Sequence, residues 1–268
     1  MDYTISTRYL DSPLVKGRCF DVFTPSAVKK DIALFIVHGG GWRAGSRTAF
    51  HEIMEAFALK GYIVASTDYR LDAPDGFCQL ADVRDAYDGF ISYLNEIERP
   101  ARVAVYGESA GAHLASLLIC ANPCECGEIC RLKNGWITPV SGILQATPVS
   151  FLPYESMMTS LKRVMEGVAG APYEKEPDRY EKLSLKNYIR TNNPPVFFLE
   201  AEREHMFMPE HTLEIVKKHR EYGIKSQWKV YKNMEHGFFY ELKRNAQKEA
   251  FADICDFLDG KPVSRAYF

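Results

Sequence analysis

Short apolar runs alternate with longer segments of helical spacing along almost the whole chain, and this alternation limits the possible folds more than any other feature. Residues 32–37 are all apolar, as expected of a strand that is covered on both faces. Residues 77–97 carry apolar side chains at helical spacing. Strands separated by helices of this length predict a mostly parallel sheet with right-handed crossovers and helices on both faces. We therefore expect an α/β fold, in which ligands bind beyond the carboxyl ends of the strands.

The same pattern divides the chain into elements. Strands are predicted at residues 3–10, 18–23, 32–37, 62–66, 103–106, 143–146, 196–199 and 227–231, and the first two can pair as a hairpin. Helices are predicted at residues 46–60, 77–97, 110–121, 209–222 and 242–258, with a helical insert at about 156–188. Because no repeat or linker interrupts this alternation, we expect a single domain over residues 1–268 with an insert or cap element at about 149–188.

Composition and charge exclude several classes of protein. Hydrophobic residues make up 46% of the 268 positions, which is enough for a sizeable core and excludes intrinsic disorder. With 33 basic and 35 acidic side chains the net charge is -2, so contact with nucleic acid or a polybasic contact with a membrane is not expected. The longest apolar stretches are far shorter than the roughly 20 residues of a membrane span. The N-terminal residues lack the features of a signal peptide, so we expect a cytoplasmic protein.

The seven cysteines fit a reducing compartment, because an odd number cannot all pair within the chain. Four of them, Cys120, Cys124, Cys126 and Cys130, fall close together and are potential zinc ligands. Their spacing differs from that of structural zinc sites, since one gap is a single residue and Cys120 ends a predicted helix. We therefore expect no metal, with zinc at this cluster as the alternative.

The sequence Gly107-Glu108-Ser109-Ala110-Gly111 lies between a predicted strand and a predicted helix. This is the context of a nucleophile elbow, a turn so tight that the serine takes a strained backbone conformation and its neighbours must be glycine. The turn exposes the hydroxyl at a helix N-terminus, where partial positive charge favours a developing oxyanion. Ser109 is therefore the predicted catalytic nucleophile.

A second motif, His38-Gly39-Gly40-Gly41-Trp42, directly follows the strand at residues 32–37. Successive glycines leave backbone N–H groups free to point at the carbonyl oxygen of a substrate. We expect the N–H groups of Gly40, Gly41 and Ala110 to form the oxyanion hole. A phosphate-binding loop is disfavoured because neither Gly-Lys-Ser/Thr nor G-x-G-x-x-G spacing is present.

These two motifs, with Asp68-Tyr69-Arg70-Leu71 between them, resemble those of the α/β-hydrolase superfamily. More closely, the chain is similar to the carboxylesterase branch related to hormone-sensitive lipase and bacterial acetyl esterases, from about residue 15 to residue 258. The resemblance implies an eight-stranded, mostly parallel sheet with helices on both faces. It also implies a catalytic triad in the chain order Ser, Asp or Glu, His.

The resemblance places the catalytic base at His236, in the loop after the last predicted strand. In the family, the acid follows the preceding strand and stands two residues before an apolar position. Aligning Met206 with that position selects Glu204, which is able to hold the imidazole tautomer and to stabilise the imidazolium. Glu202 is the alternative, and we expect Glu200 to face away from the site.

The implied reaction is attack of Ser109 on an ester carbonyl while His236 takes the proton, followed by release of the acyl group by water. No metal or organic cofactor is needed. The expected partner is a small-molecule ester with a short acyl group, or an acetylated or aromatic-acid ester, because only 37 residues precede His38 and leave little room for an N-terminal cap. A homodimer is compatible with the sequence. The expected substrate-binding residues are Trp42, Phe151, Tyr154 and Met206.

Two other activities stay open on the same resemblance, and a non-catalytic role is disfavoured. An arylformamidase resembles this chain in its His-Gly-Gly loop followed closely by Trp42. A dehydratase or lyase on this fold would keep the triad. A non-catalytic receptor would typically lack the histidine, so His236 argues against that reading.

Overall fold

Eight strands form one sheet in the order β1-β2-β4-β3-β5-β6-β7-β8, in a computed structural model that describes residues 2–154 and 157–267. The strands are β1 (Tyr3–Tyr9), β2 (Cys19–Pro25), β3 (Ala33–Val37), β4 (Val64–Thr67), β5 (Val103–Glu108), β6 (Ser141–Gln145), β7 (Val196–Arg203) and β8 (Gln227–Glu235). The β1–β2 and β2–β4 pairs are antiparallel and the others are parallel. This confirms the predicted mostly parallel eight-stranded sheet and its N-terminal hairpin.

Helices cover both faces of the sheet. They are α1 (His51–Leu59), α2 (Gly76–Glu96), α3 (Ala110–Cys120), α4 (Thr159–Ala169), α5 (Pro177–Lys182), α6 (Pro209–Glu221) and α7 (Asn245–Leu258), with short 3₁₀ turns at Arg47–Phe50 and Leu185–Tyr188. Among the described residues, no helix combines the length and the apolar character needed to cross a bilayer.

The central strands explain why two layers of helices form. All five residues of β3 are buried, and successive side chains of a strand point to opposite faces. Phe35 packs in one core with the apolar side chains of α2 and α3, whereas Leu34 and Ile36 pack in a second core with those of α1 and α7. A strand that is apolar throughout is therefore buried by helices from both sides.

The insert differs from the single helical stretch that the sequence predicts at 156–188. It consists of α4, α5 and the Leu185–Tyr188 turn, and its predicted start at Ser156 lies outside the described residues. Gly170 ends α4 in the left-handed conformation with φ of 76°, and Pro177 begins α5. Glycine after a helix and proline in its first turn are the usual terminators, so the insert is divided where these residues fall.

The last two strands extend beyond their predicted ends. β7 continues to Arg203 and β8 to Glu235, with an irregularity in their pairing between Ala201 and Arg203. The added residues are largely polar, so hydrophobic patterning alone does not detect them. This extension matters because it carries both strands to the loops that hold Glu204 and His236.

Candidate active site

Ser109 lies at the sharp turn between β5 and α3. Its backbone has φ of 53° and ψ of -117°, a region that non-glycine residues rarely adopt. A Cβ atom at Gly107 would lie 2.5 Å from the Gly111 carbonyl oxygen, and one at Gly111 would lie 2.2 Å from the Val37 carbonyl oxygen. Both glycines are therefore required by close backbone approach, which is the physical basis of the predicted elbow.

A chain of hydrogen bonds joins Ser109 to His236 and Glu204. Ser109 Oγ lies 2.8 Å from His236 Nε2, and His236 Nδ1 lies 2.8 Å from Glu204 Oε2 and 3.0 Å from Oε1. With Nδ1–H donating to the carboxylate, Nε2 is free to accept the serine proton. Three loops that follow β5, β7 and β8 thus bring together the three side chains predicted from chain order.

Glu204 and His236 each stabilise the charged form of the other. Burial by itself would raise the pKa of Glu204, but the hydrogen bond and charge of His236 and the N–H groups of Met206 and Phe207 hold that pKa below its ordinary value. Burial by itself would lower the pKa of His236, but Glu204, and to a smaller extent Glu108, raise it. The contacts with Glu204 therefore favour the protonated, imidazolium form of His236.

The other two candidate acids have different partners. Glu202 Oε2 accepts the backbone N–H of Asn233 at 2.8 Å on the surface. Glu200 is buried and lies 2.7 Å from the Thr212 hydroxyl of α6. The structure therefore brings Glu204, and not these two glutamates, to the imidazole of His236.

The glycine loop after β3 packs directly against the elbow. Gly40 and Gly41 have φ of 111° and 60°, which glycine adopts without strain. In the described part of the chain, no acceptor takes the N–H group of either residue. Ala110 begins α3, and the first N–H groups of a helix have no acceptor within it. These three donors are free to bind an oxyanion beside Ser109.

Two of the four residues expected to bind substrate are core residues instead. Trp42 is 2% exposed and Phe151 is fully buried. The Trp42 indole donates to His113 Nδ1 at 3.2 Å, and the Phe151 ring packs on both. Trp42 has φ of 61°, which turns its side chain back into the protein. We correct the expectation for these two residues, which belong to the hydrophobic core and not to the exposed wall of the site.

The remaining two, Met206 and Tyr154, are not core residues. Met206 and Tyr154 are half-buried, and Tyr154 packs edge-on against His211. Phe207, which no sequence motif identifies, has its ring centroid 5.8 Å from that of His236. Its only signal is its position three residues after Glu204, which is too weak to identify it.

Glu108 is a second residue of the site that the sequence patterns do not identify, although it lies within the elbow motif. Its Oε1 lies 3.9 Å from His236 Nε2, and a Cβ at Gly39 or at Gly237 would lie 1.8 or 2.7 Å from its carboxylate. Burial raises the pKa of Glu108 to about 7, while the charge of His236 and the N–H of Gly39 act in the opposite direction. Glu108 therefore fills the space between the glycine loop and the histidine loop.

The cysteine cluster shows no metal-binding geometry. Among residues 2–154 and 157–267, no group of three or more His, Cys, Asp and Glu side chains is placed to hold a metal ion. Cys120 and Cys126 are buried, and burial raises the pKa of each to about 12. Cys124 is exposed. Protonated, separately buried thiols are poor metal ligands.

Comparisons with known proteins agree with this architecture. The BD-FAE family model matches residues 20–218, and the dienelactone hydrolase family model matches residues 180–260. Esterase B from Lactobacillus Rhamnosis has a TM-score of 0.79 at 17% identity, covering 97% of this chain and 86% of that protein. Butyrate-bound esterase Est2 from Thermogutta terrifontis has a TM-score of 0.75 at 18% identity, covering 95% and 93%.

Curated relatives match over shorter stretches. Kynurenine formamidase from Danio rerio is 26% identical over 149 residues, which are 54% of this chain and 50% of that protein. Arylacetamide deacetylase from Oryctolagus cuniculus is 35% identical over 115 residues, 35% of this chain and 26% of that protein. The matches thus span half or less of the length of these relatives. From the sheet, the elbow and the family model together, the chain has the α/β-hydrolase fold and belongs to the BD-FAE family.

Proposed function

We propose that this protein is a serine hydrolase that cleaves small carboxylic esters with a short acyl group, or acetylated or aromatic-acid esters. The observation that carries the proposal is the continuous hydrogen-bond chain from Ser109 through His236 to Glu204, with 2.8 Å contacts at each end of the imidazole. It stands beside the free N–H groups of the glycine loop, which supply the second requirement of acyl transfer.

The reaction runs in two steps. Ser109 Oγ attacks the ester carbonyl while His236 Nε2 takes its proton, and the N–H groups of Gly40, Gly41 and Ala110 bind the oxyanion. His236 then gives that proton to the leaving alcohol, which leaves an acyl-serine. Water, deprotonated by His236, attacks the acyl-serine and releases the acid and free Ser109. Each preorganised oxyanion donor contributes on the order of 10²–10³ in rate.

One comparison supports a small substrate. Structures of the similar Thermogutta terrifontis esterase contain butyrate or propionate. We propose acyl groups of similar length for this chain.

The proposal is tested with p-nitrophenyl acetate, butyrate and palmitate, assayed on the natural chain and on Ser109→Ala. We expect the acetate or butyrate to turn over fastest and Ser109→Ala to be inactive, and a serine-reactive phosphonate should label Ser109. Full activity of Ser109→Ala, or labelling elsewhere, would contradict the mechanism. Faster turnover of the palmitate would contradict the substrate size.

Arylformamidase activity is the second candidate, favoured by the match to kynurenine formamidase over 149 residues. Both activities need the same triad and oxyanion hole, so they differ only in the bond that is cleaved. Parallel kcat/KM measurements on an aryl formamide and an aryl acetate distinguish them. A higher value for the formamide would assign the amide hydrolase.

A further inference from the structure

A cavity of about 640 Å³ opens at the amino ends of the strands, at the opposite edge of the sheet from Ser109. Arg102, Ser141 and Gln227 line it at the beginnings of β5, β6 and β8. Strand β5 has six residues, so the cavity lies about 20 Å from the nucleophile at the other end of that strand. It is therefore separate from the hydrolytic site.

The walls are apolar and the rim is basic. Val140, Ile224 and Phe257 contribute apolar surface. The charged residues that line the cavity are Arg102, Arg220, Lys225 and Lys261. Within the described residues, no acidic side chain lines it.

Three of these four cations lack a partner. Lys261 pairs with Asp256 and Asp259 at 3.4 and 3.3 Å, but Arg102, Arg220 and Lys225 form no ion pair with any described residue. Arg220 lies in the last turn of α6, where a cation complements the helix dipole. This does not account for Arg102, which precedes a strand. The rim thus carries positive charge that the protein itself does not neutralise.

Two buried polar groups face the cavity without a partner. Ser141 and Gln227 are each only 7% exposed. Gln227 Oε1 accepts the N–H of Val263 at 2.9 Å, which leaves its Nε2 as a donor. Neither Gln227 Nε2 nor Ser141 Oγ forms a hydrogen bond with another described residue, and both residues line the cavity. Solvent reaches these two atoms, so both are available as hydrogen-bond donors to a ligand that accepts hydrogen bonds.

We propose that this cavity binds a small amphiphilic carboxylate, an apolar ring or short chain that ends in an acid group. The apolar body packs against Val140, Ile224 and Phe257, the carboxylate accepts hydrogen bonds from Ser141 and Gln227, and Arg102 and Arg220 attract its charge. The volume lies within the range of about 300–1,000 Å³ that is usual for sites of small molecules.

Calorimetric titration with 4-phenylbutanoate tests the proposal, with 4-phenylbutan-1-ol as the neutral probe of the same shape. The protein is first phosphonylated at Ser109, or used as Ser109→Ala, so that the hydrolytic site does not contribute. We expect the acid to bind about tenfold more tightly than the alcohol and more weakly at high salt, because the charge is recognised at a solvent-accessible rim.

The variants Ser141→Ala and Arg102→Gln/Arg220→Gln locate the site. Each should weaken binding of 4-phenylbutanoate, the double variant by about tenfold, and circular dichroism should show an unchanged fold because both arginines are exposed. Arg131→Gln, an exposed arginine outside the cavity, is the matched control and should bind normally. Equal affinity for acid and alcohol, unaltered binding by both variants, or binding of inorganic phosphate as tight as that of the acid would overturn the proposal.

Discussion

Among the residues of the site, Glu204 is the one whose role depends most on a single contact. Its carboxylate accepts a hydrogen bond from His236 Nδ1–H, and its Oε1 also accepts hydrogen bonds from the backbone N–H groups of His205 and Met206 at 3.0 and 2.8 Å. A glutamine at this position keeps an oxygen for the backbone donors but loses the charge that stabilises the imidazolium. It can also present an N–H to the histidine, which selects the wrong tautomer.

We therefore expect Glu204→Gln to lower kcat by about 10³–10⁴ with the fold intact. Glu202→Gln is the matched control, because Glu202 lies on the same segment and contacts the backbone of Asn233. Steady-state kinetics on a short ester compare the two. If Glu202→Gln were the inactive variant, the acid would be assigned to the wrong glutamate.

Glu108 leads to a prediction about pH. Its carboxylate is one of the charges that raise the pKa of His236, and activity needs that histidine neutral. Removing the charge in Glu108→Gln lowers the pKa of His236, so the acidic limb of the kcat/KM profile should move to lower pH. Since Glu108 itself has a pKa of about 7, the limb in the natural protein reflects both groups.

The profile of Glu202→Gln should match that of the natural protein. A role of Glu108 in packing alone would reduce kcat in Glu108→Gln but leave the position of the acidic limb unchanged. That outcome would contradict the electrostatic effect on His236.

At the scale of elements, the contact between β7 and α6 contains a buried acid. Burial raises the pKa of Glu200 to about 8. The Thr212 hydroxyl lies 2.7 Å from Glu200 and 2.8 Å from the Pro209 carbonyl, but it has one proton. A protonated Glu200 resolves this conflict by donating to Thr212 while Thr212 donates to Pro209.

The stability of this contact should therefore depend on pH. The folded protein keeps a proton on Glu200 that the unfolded chain loses near its ordinary pKa of 4.5, so the free energy of unfolding should fall as pH rises from 4.5 to about 8. Glu200→Gln removes this contribution. Urea unfolding across that range should show a shallower decline for Glu200→Gln than for the natural protein, and an identical slope would contradict the prediction.

For the whole molecule, the prediction concerns metals. The described residues contain no group placed to hold a metal ion, and all seven cysteines are free. We expect a chelator to leave the melting temperature and the esterase activity unchanged, as measured by calorimetry and kinetics. Stoichiometric zinc in the purified protein, with a lower melting temperature after its removal, would show that the cysteines are ligands.

Local sequence patterns predicted the elements and the elbow, whereas the family resemblance implied the chain order of the triad. Each central strand and long helix was located by its apolar period, and the elbow by glycines that close backbone contacts require. These features can be predicted from the sequence because they depend on residues that are close to one another along the chain. The extensions of β7 and β8 could not be predicted in this way, because their polar residues are held by pairing between two different strands.

Which glutamate meets the histidine was decided by tertiary structure. Glu200, Glu202 and Glu204 are spaced by two, so in a straight strand all three would share one face. The pairing irregularity after Ala201 and a turn in which the Glu204 N–H donates to the Ala201 carbonyl direct the third glutamate toward His236. Such a turn depends on the neighbouring strand, which lies far away in sequence.

The sequence by itself determined the α/β architecture and the elbow that holds Ser109, because local periodicity and glycine sterics carry that information, and the family resemblance added His236 and the candidate acids. Only the tertiary structure decided that Trp42 and Phe151 are core residues, that Glu108 lies between two loops, and that Ser141 and Gln227 face a common cavity. The physical reason is that the order of the strands in the sheet decides which side chains are buried and which of them lie next to each other. In this sheet, that order places segments separated by scores of residues side by side.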